Sequence, residues 1–383
     1  MTKLFREFFR TEKSSGIILI ICTVLSLALA NSPVAESYAA LWQFPVAGHS
    51  IVFWINDVFM ALFFLLIGLE IEREIYIGEL SNPRKALLPI IAAAGGMIGP
   101  AIVHFSLNAG TDSQSGFGIP MATDIAFSLG ILSLLGTRIP VGIKVFLTAL
   151  AIVDDLGAIV VIAVFYTTSV SLMNLVYALL IAAILFTANR MKVRTVWLYL
   201  FGGIVLWYFI HESGIHATIA GVILAFLIPF GKGEEPSPSA SVEHILVYIV
   251  PFVVLPLFAL ANTVITIDSS SFSSLFHLNS IGIIAGLIIG NVAGINLAIY
   301  LAVKTKISSL PAQSNMKHIF GVSLLAGIGF TMGIFITMLA FQDTTLIEQS
   351  KFAILVASLI AGVSGYFFLR AVSHNDKTAV PQE

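Results

Sequence analysis

Charged residues are scarce in this chain. They account for 10% of its 383 residues, whereas hydrophobic residues account for 58%. Soluble domains carry about 25% charged residues, so this composition excludes a soluble globular protein and indicates an integral membrane protein. The net charge of −2 offers no basic surface, so we expect no nucleic-acid partner.

Cysteine is nearly absent as well. The only one, Cys22, lies in an apolar run. A single cysteine excludes an intramolecular disulfide and leaves no thiolate metal site. Nothing in the sequence predicts a cofactor, and we expect none.

Long apolar runs, in contrast, are abundant. A helix needs about 20 apolar residues to cross a bilayer. The runs predict an all-α polytopic membrane protein that forms one membrane unit over residues 1–383. Twelve candidate spans lie between polar breaks, near residues 14–30, 51–69, 86–107, 119–135, 145–166, 172–188, 195–211, 213–230, 244–266, 281–303, 318–341 and 352–372.

Lysine and arginine are distributed unevenly between these runs. With the N-terminus in the cytoplasm, eighteen of the nineteen fall on the cytoplasmic side or at its interface, and only Lys351 falls outside. This bias predicts an even number of spans with both termini in the cytoplasm. The first run follows basic residues and ends in Ala28-Leu29-Ala30, which also fits a cleaved signal peptide; we favour a retained span.

Two adjacent acids, Asp154 and Asp155, interrupt the apolar run 145–166 at its middle. Each costs about 2.5–3.5 kcal/mol at the centre of a spanning helix. Neighbouring helix positions point about 100° apart, so one carboxylate can face a cavity while the other faces a neighbouring helix. A buried polar contact that tightens helix packing is the alternative, but small residues and hydroxyls do that at lower cost. We therefore predict a cation or proton site.

Two other runs combine glycine with threonine, and in one case proline, where a spanning helix should be continuous. They read GIPMATDIAFSLG around Thr123 and Asp124, and GIGFTMGIF around Thr331. Helical hydrogen bonding should fail there, and interrupted runs at corresponding positions predict an inverted-repeat transporter with repeats 86–166 and 281–372. Asp124 is placed either to cap a broken helix or to contact the ion.

Three further patterns have structural or functional interpretations. Gly-xxx-Gly spacing in the third and tenth runs predicts close contact between helix backbones. Glu70, Arg73 and Glu74 share one helix face at the end of the second run, either as a pH-responsive cluster or as a solvated helix end. His216 lies near a membrane surface, where a hydrogen-bonded structural histidine is the favoured interpretation.

Five stretches carry a family resemblance: ALAIVDDLGAIVVIA (149–163), PMATDIAFSLGILSLLG (120–136), GLEIERE (68–74), HESGIHATIAGVILA (211–225) and LAGIGFTMGIF (325–335). Together they resemble the bacterial NhaA family of sodium/proton antiporters over essentially the whole chain. The resemblance implies a twelve-helix fold in which broken helices four and eleven cross in a core domain. It also implies a second domain, 14–69 and 172–266, that dimerises partly through a hairpin in the first external loop.

The resemblance also assigns roles to residues. It implies exchange of Na⁺ or Li⁺ for H⁺ across the bacterial inner membrane at Asp154 and Asp155, with Thr123 and Asp124 at the helix crossing. Membrane lipid and a second copy of the chain are the expected partners. Residues linked to the pH response are Glu70, Arg73, Glu74, His216, Glu243 and His244.

One position departs from the family. The family has a lysine in its tenth span, in a Gly-Lys-Pro setting, that pairs with the first acid, whereas the aligned residues here are Gly290-Asn291-Val292. No lysine or arginine lies inside any apolar core, so Asp154 is expected to lack a cationic partner on the chain. Asn291 can offer the site only dipoles.

These observations predict a transporter, not an enzyme, in which protons and a hard cation compete for the two carboxylates and alternating access gives exchange. Three alternatives remain. A sodium-coupled symporter of an organic solute would need a roomier polar pocket, and a passive channel would take up cations without proton countermovement. An intramembrane aspartic protease would pair Asp124 with Asp155, but the Gly-x-Gly-Asp signature is missing.

Overall fold

The computed structural model describes residues 3–167, 170–231 and 237–378; within them, the side chains of residues 3–12, 137 and 374–378 are not described. Lys232, one of the basic residues used to predict the topology, lies outside the described residues. Helices dominate the described chain, and the only strands within it, β1 (Pro45–Val46) and β2 (His49–Ser50), form one short antiparallel hairpin.

The α-helices follow one another through the described chain with few long connections. In order they are α1 (Lys3–Ala30), α2 (Ala35–Gln43), α3 (Ile51–Trp54), α4 (Met60–Tyr76), α5 (Pro83–Asn108), α6 (Ile125–Leu134), α7 (Val141–Phe165), α8 (Leu172–Arg190), α9 (Val196–Glu212), α10 (Ile219–Leu227), α11 (Pro238–Ile249), α12 (Leu255–Asn262), α13 (Ser269–Ser274), α14 (Leu278–Ala285), α15 (Asn291–Lys304), α16 (Met316–Ala326), α17 (Phe330–Ala340) and α18 (Thr344–Thr378).

Tighter and wider turns interrupt several spans. A 3₁₀ segment, Gln114–Met121, precedes α6, and π-helical turns occupy Ile55–Phe59, Val250–Val254 and Gly286–Gly290. Such π turns are rare and often mark functional sites. The last of them ends directly before Asn291.

Nine helical segments of the described chain are long and apolar enough to cross a membrane, and the pair α16 and α17, bent by 47°, is a tenth candidate. The prediction of an all-α polytopic membrane protein is confirmed, while the count of twelve is not. The run near 195–211 forms α9 with 17 residues, and the run near 213–230 forms α10 with only nine. α10 is short because Gly214 adopts a φ of 83° before it and Ile228, which precedes Pro229, is extended after it.

The chain divides into two compact units. Unit 1 comprises Met1–Ser32, Pro83–Ala158 and Thr263–Glu383, and unit 2 comprises Pro33–Asn82 and Ile159–Asn262. Helix α1 belongs to unit 1, whereas the sequence placed residues 14–69 in the second domain. Close packing explains this placement, since a Cβ on Gly16 of α1 would lie 3.0 Å from the Gly130 Cα of α6. The repeat relation and the dimerisation role remain predictions.

In unit 1, glycines bring α5 and the start of α15 into direct backbone contact. A Cβ on Gly290 would lie 2.7 Å from the Pro100 Cα, and one on Gly99 would overlap the Gly290 carbonyl oxygen. A Cβ on Gly95 would likewise overlap the Gly294 carbonyl oxygen, and one on Gly294 would overlap the Gly95 carbonyl oxygen. The close approach predicted from Gly-xxx-Gly spacing is therefore confirmed, and it holds Asn291 against α5.

Unit 2 contains most of the first loop of the chain, residues 33–50. The β1–β2 hairpin expected from the family is present there, and its two turn residues, Ala47 and Gly48, have φ values of 50° and 87°. Two positive φ values match the twist that a two-residue hairpin turn requires. The sequence analysis missed α2 in this loop, a nine-residue helix that buries Trp42.

Candidate functional site

Asp154 and Asp155 lie in the part of α7 that belongs to unit 1, with exposed fractions of 3% and 1%. The Thr123 N–H donates a 2.9 Å hydrogen bond to Oδ2 of Asp154. Oδ1 of Asp154 is buried and has no hydrogen-bond partner among the described residues. Because a buried carboxylate oxygen without a donor is unfavourable, this atom is suited to bind a proton or a cation.

Asp124 caps two helices at once. Its Oδ1 accepts the Phe127 N–H in the first turn of α6 at 2.9 Å, and its Oδ2 accepts both the N–H and the hydroxyl of Thr331 in the first turn of α17. The Asp124 N–H donates to the Ile328 carbonyl, so the two interrupted segments are joined where they cross. A carboxylate at two helix N-termini neutralises two positive ends. Of the two predicted roles for Asp124, the contacts support the cap.

The opposite, negative end of the break is also satisfied. The Ala326 carbonyl, at the end of α16, accepts the Thr123 hydroxyl at 2.8 Å and the Asn291 Nδ2–H at 3.1 Å. The Ser128 hydroxyl donates to the preceding Leu325 carbonyl at 2.9 Å. Since the last carbonyls of a helix carry partial negative charge, three neutral donors replace the helical hydrogen bonds that the break removes.

Thr123 therefore contacts both parts of the site. Its backbone N–H donates to Asp154, and its hydroxyl donates to the Ala326 carbonyl. Asp154 forms no ion pair with a described lysine or arginine, and its direct partner is a neutral N–H. The sequence analysis predicted neither this backbone contact nor the role of Ser128. Ser128 and Ser133 are the two hydroxyls of the otherwise apolar α6 and are a sequence signal, whereas no sequence pattern shows which backbone N–H faces a carboxylate.

A second group of predicted residues lies in unit 2, where α4 meets α11. We call Glu70, Arg73, Glu74 and Glu243 the carboxylate cluster. Arg73 Nη1 is 2.7 Å from Glu243 Oε1, and Arg73 Nη2 is 3.6 Å from Glu74 Oε1. Glu70 is 9% exposed and interacts electrostatically with the other three. The described contact of His244 is with Tyr248, at 5.7 Å between ring centroids.

His216 lies in the turn between α9 and α10, also in unit 2. Its Nε2–H donates to the Tyr166 carbonyl at 2.9 Å, as expected for a structural histidine. Burial lowers the pKa of His216, against the opposing effects of this hydrogen bond and of Asp57. Asp57, whose Oδ2 is 3.3 Å from Nδ1 of His211, is an acid that the sequence analysis missed, although an acid inside the apolar run 51–69 signals it.

Apolar spans, two interrupted segments that cross, and buried acids beside the crossing define a class: polytopic secondary transporters with broken helices. The chain belongs to the Na⁺/H⁺ antiporter 1 family, whose family model matches residues 6–369. It is 55% identical over 377 residues to Na⁺/H⁺ antiporter NhaA 1 of Flavobacterium johnsoniae, covering 98% of this chain and 99% of that one.

Other relatives match over similar lengths. Identity is 56% over 375 residues to Na⁺/H⁺ antiporter NhaA of Flavobacterium psychrophilum, covering 98% of each chain. It is 52% over 380 residues to Na⁺/H⁺ antiporter NhaA of Dechloromonas aromatica, again covering 98% of each. The family resemblance seen in the motifs is therefore confirmed, and the symporter, protease and channel alternatives gain no support from these relatives.

Proposed function

We propose that the chain exchanges Na⁺ for H⁺ across a membrane and that Asp154 and Asp155 carry the exchange. It is a Na⁺/H⁺ antiporter, a transporter and not an enzyme, as its family and its relatives' names state. The observation that carries the residue assignment is the buried Asp154 carboxylate, held at Oδ2 by the Thr123 N–H while Oδ1 has no described partner.

Competition at these carboxylates is sufficient for exchange. Na⁺ is a hard cation that prefers oxygen ligands, and a deprotonated Asp155 with Asp154 supplies them. A proton on either carboxylate removes charge that the cation needs, so protons and Na⁺ exclude one another. Alternating access, which we expect from the inverted repeats, exposes the site to each side of the membrane in turn.

The surrounding residues position the pair. Asp124 and Thr331 fix the starts of α6 and α17, and Thr123 and Asn291 fix the end of α16. Because Thr123 also donates its N–H to Asp154, any shift of the crossing changes the environment of that carboxylate. We assign these four residues a positioning role, with Asp124 as a double cap that does not contact the ion.

We assign the pH response to the carboxylate cluster and to His244 and His216. In the cluster, Glu243 and Glu74 lie at hydrogen-bond and ion-pair distances from the Arg73 guanidinium, and the buried Glu70 interacts electrostatically with all three, so protonation of Glu70 is coupled to the charge of its neighbours. Li⁺ is a second transported cation in this proposal. The setting we propose is the bacterial inner membrane, with both termini in the cytoplasm, membrane lipid around the spans, and a homodimer.

Proton movement in everted membrane vesicles tests the proposal. Addition of Na⁺ or Li⁺ to vesicles carrying the unaltered chain should release protons from the lumen, and K⁺ should not. Asp155→Asn removes the charge that binds the cation and should abolish this response. Asp112→Asn, an exposed acid in the same unit, is the matched control and should respond normally. Full Na⁺-dependent proton release by Asp155→Asn, at equal protein in the membrane, would exclude the assigned site.

A further inference from the structure

Unit 1 carries an apolar groove of about 500 Å³ beside α6. We call it the α1–α6–α18 groove, because α1, α6 and α18 form its walls. Its size lies within the range of pockets that hold small organic ligands, about 300–1,000 Å³. Its characteristic lining residues are Val24, Phe127, Ile131, Phe330, Leu359 and Val363.

The groove is accessible along its length. Val24, Leu359 and Val363 are exposed by 61%, 68% and 48%. All three walls belong to candidate membrane spans, so lipid chains are the medium that this surface meets. Ser358, which also lines the groove, has a buried hydroxyl without a hydrogen-bond partner among the described residues.

The contacts of the three wall helices show which of their ends lie together. Asn31, just after α1, forms hydrogen bonds with Ile265 and Ile267, and Phe272 contacts Phe352 near the start of α18 at 5.7 Å between ring centroids. The C-terminal end of α1 is therefore close to the N-terminal end of α18. The turn after α6 contacts α18, and a Cβ on Gly362 would meet Ile131 of α6. The N-terminal end of α1 and the C-terminal ends of α6 and α18 thus lie at one mouth of the groove.

Each wall carries one exposed basic residue at this mouth. Lys13 precedes the groove residues of α1, Arg138 follows those of α6 by one turn, and Arg370 follows those of α18 by one turn. None of the three forms an ion pair within the described part of the chain. Three cations at the end of an apolar groove complement a phosphate group at the end of a hydrocarbon chain.

We propose that the α1–α6–α18 groove binds an anionic phospholipid, with one acyl chain along α18 and the phosphate held by Lys13, Arg138 and Arg370. The inner wall connects the bound lipid, through side-chain contacts, with residues beside the exchange site. Phe127 and Phe330 contact each other at 5.3 Å between ring centroids, and both line the groove. The Phe127 N–H is held by Asp124, and Phe330 directly precedes Thr331. An acyl chain on these rings therefore packs against residues that are adjacent to the crossing.

The first test uses the purified full chain and phosphatidylglycerol that carries a photoreactive diazirine on one acyl chain. Cross-linked peptides are mapped by mass spectrometry, and we expect them in α1, α6 and α18. Unlabelled phosphatidylglycerol should compete, whereas phosphatidylcholine should compete less well and inorganic phosphate should not compete. Labelling outside these helices, or equal competition by phosphatidylcholine, would overturn the proposal. This test needs no variant, so it holds even if a substitution prevents folding.

The second test replaces the three cations together, as Lys13→Gln, Arg138→Gln and Arg370→Gln. The preference for anionic over zwitterionic lipid should fall about fivefold for each charge removed, on the order of 100-fold in all. The matched control replaces three other basic residues of unit 1, as Lys304→Gln, Lys306→Gln and Lys317→Gln, and should keep the preference. An unchanged preference in the first variant, or the same loss in both, would reject Lys13, Arg138 and Arg370 as the phosphate site.

Discussion

At the scale of the residue, the site places dipoles where the family has a charge. Asn291 is 1% exposed and donates to the Ala326 carbonyl, while its Oδ1 has no hydrogen-bond partner among the described residues. Asp154 receives one N–H from Thr123. An amide can satisfy a helix end in this way, but it cannot offset the charge of a buried carboxylate as a lysine can.

The substitution Asn291→Lys tests this difference. A cation at this position stabilises the ionised form of Asp154, so the onset of Na⁺-dependent proton release should move to lower pH, and the melting temperature should rise. Asn291→Met, which introduces a side chain similar in length to lysine but without charge, is the control and should produce neither change. An onset and a melting temperature that stay the same in Asn291→Lys would show that charge at residue 291 does not act on the site.

His216 makes stability depend on pH in a predictable direction. Because burial lowers its pKa in the folded protein, the unfolded chain binds more protons between that value and the ordinary histidine value of about 6.5. The contribution of His216 to the free energy of unfolding should therefore have its full stabilising value above about pH 6.5. It should decrease as the pH drops below that value.

Melting temperatures of His216→Gln between about pH 5.5 and about pH 7.5 should show a weaker pH dependence than the unaltered chain. His277→Gln, which changes an exposed histidine of unit 1, is the control. A pH dependence that is undiminished in His216→Gln would assign the effect to other groups.

At the scale of the element, the break between α16 and α17 depends on side chains that replace helical hydrogen bonds. Thr331→Val removes the hydroxyl that donates to the Asp124 carboxylate and should destabilise the protein by about 1.5–3 kcal/mol, since the acceptor is charged. Thr337→Val in the same helix removes a bond to the neutral Gly333 carbonyl and should cost about 0.5–1.5 kcal/mol. Thermal unfolding of both variants measures the difference, and equal losses would contradict the double-cap role of Asp124.

The positions of the breaks could be predicted from sequence because their cause is local. Pro120 lacks a backbone N–H, and the glycines around Ile328 weaken the helix without help from distant residues. The partners of the breaks could not be predicted. Asp124 and Thr331 are 207 residues apart, and only packing decides that one caps the helix of the other.

At the scale of the whole molecule, the two proposed roles, ion exchange and pH response, belong to different units. The aspartate pair and its supporting residues belong to unit 1, whereas the carboxylate cluster belongs to unit 2. Glu243→Gln removes the carboxylate nearest to Arg73, so it should shift the pH profile of exchange and leave the maximum rate unchanged. Glu36→Gln, an exposed acid of unit 2, is the control and should leave the profile in place. A maximum rate that falls in Glu243→Gln with an unshifted profile would argue for a structural role of the cluster.

The sequence by itself determined the features that depend on composition and local chemistry. Scarce charge defined a membrane protein, long apolar runs defined its helices, and the cost of an acid in such a run singled out Asp154, Asp155 and Asp124. The same reasoning should have found Asp57. The number of spans was less accessible, because a short apolar helix such as α10 is delimited by a turn at Gly214, which run length alone does not show.

Only the tertiary structure decided which groups meet. It brought the Thr123 N–H to Asp154, the Asn291 amide to the end of α16, and three basic residues to one mouth of an apolar groove. It also placed α1 in unit 1, where Gly16 of α1 packs closely against Gly130 of α6. These outcomes depend on contacts between segments that lie 31 residues or more apart along the chain, which close packing selects and which no local pattern encodes.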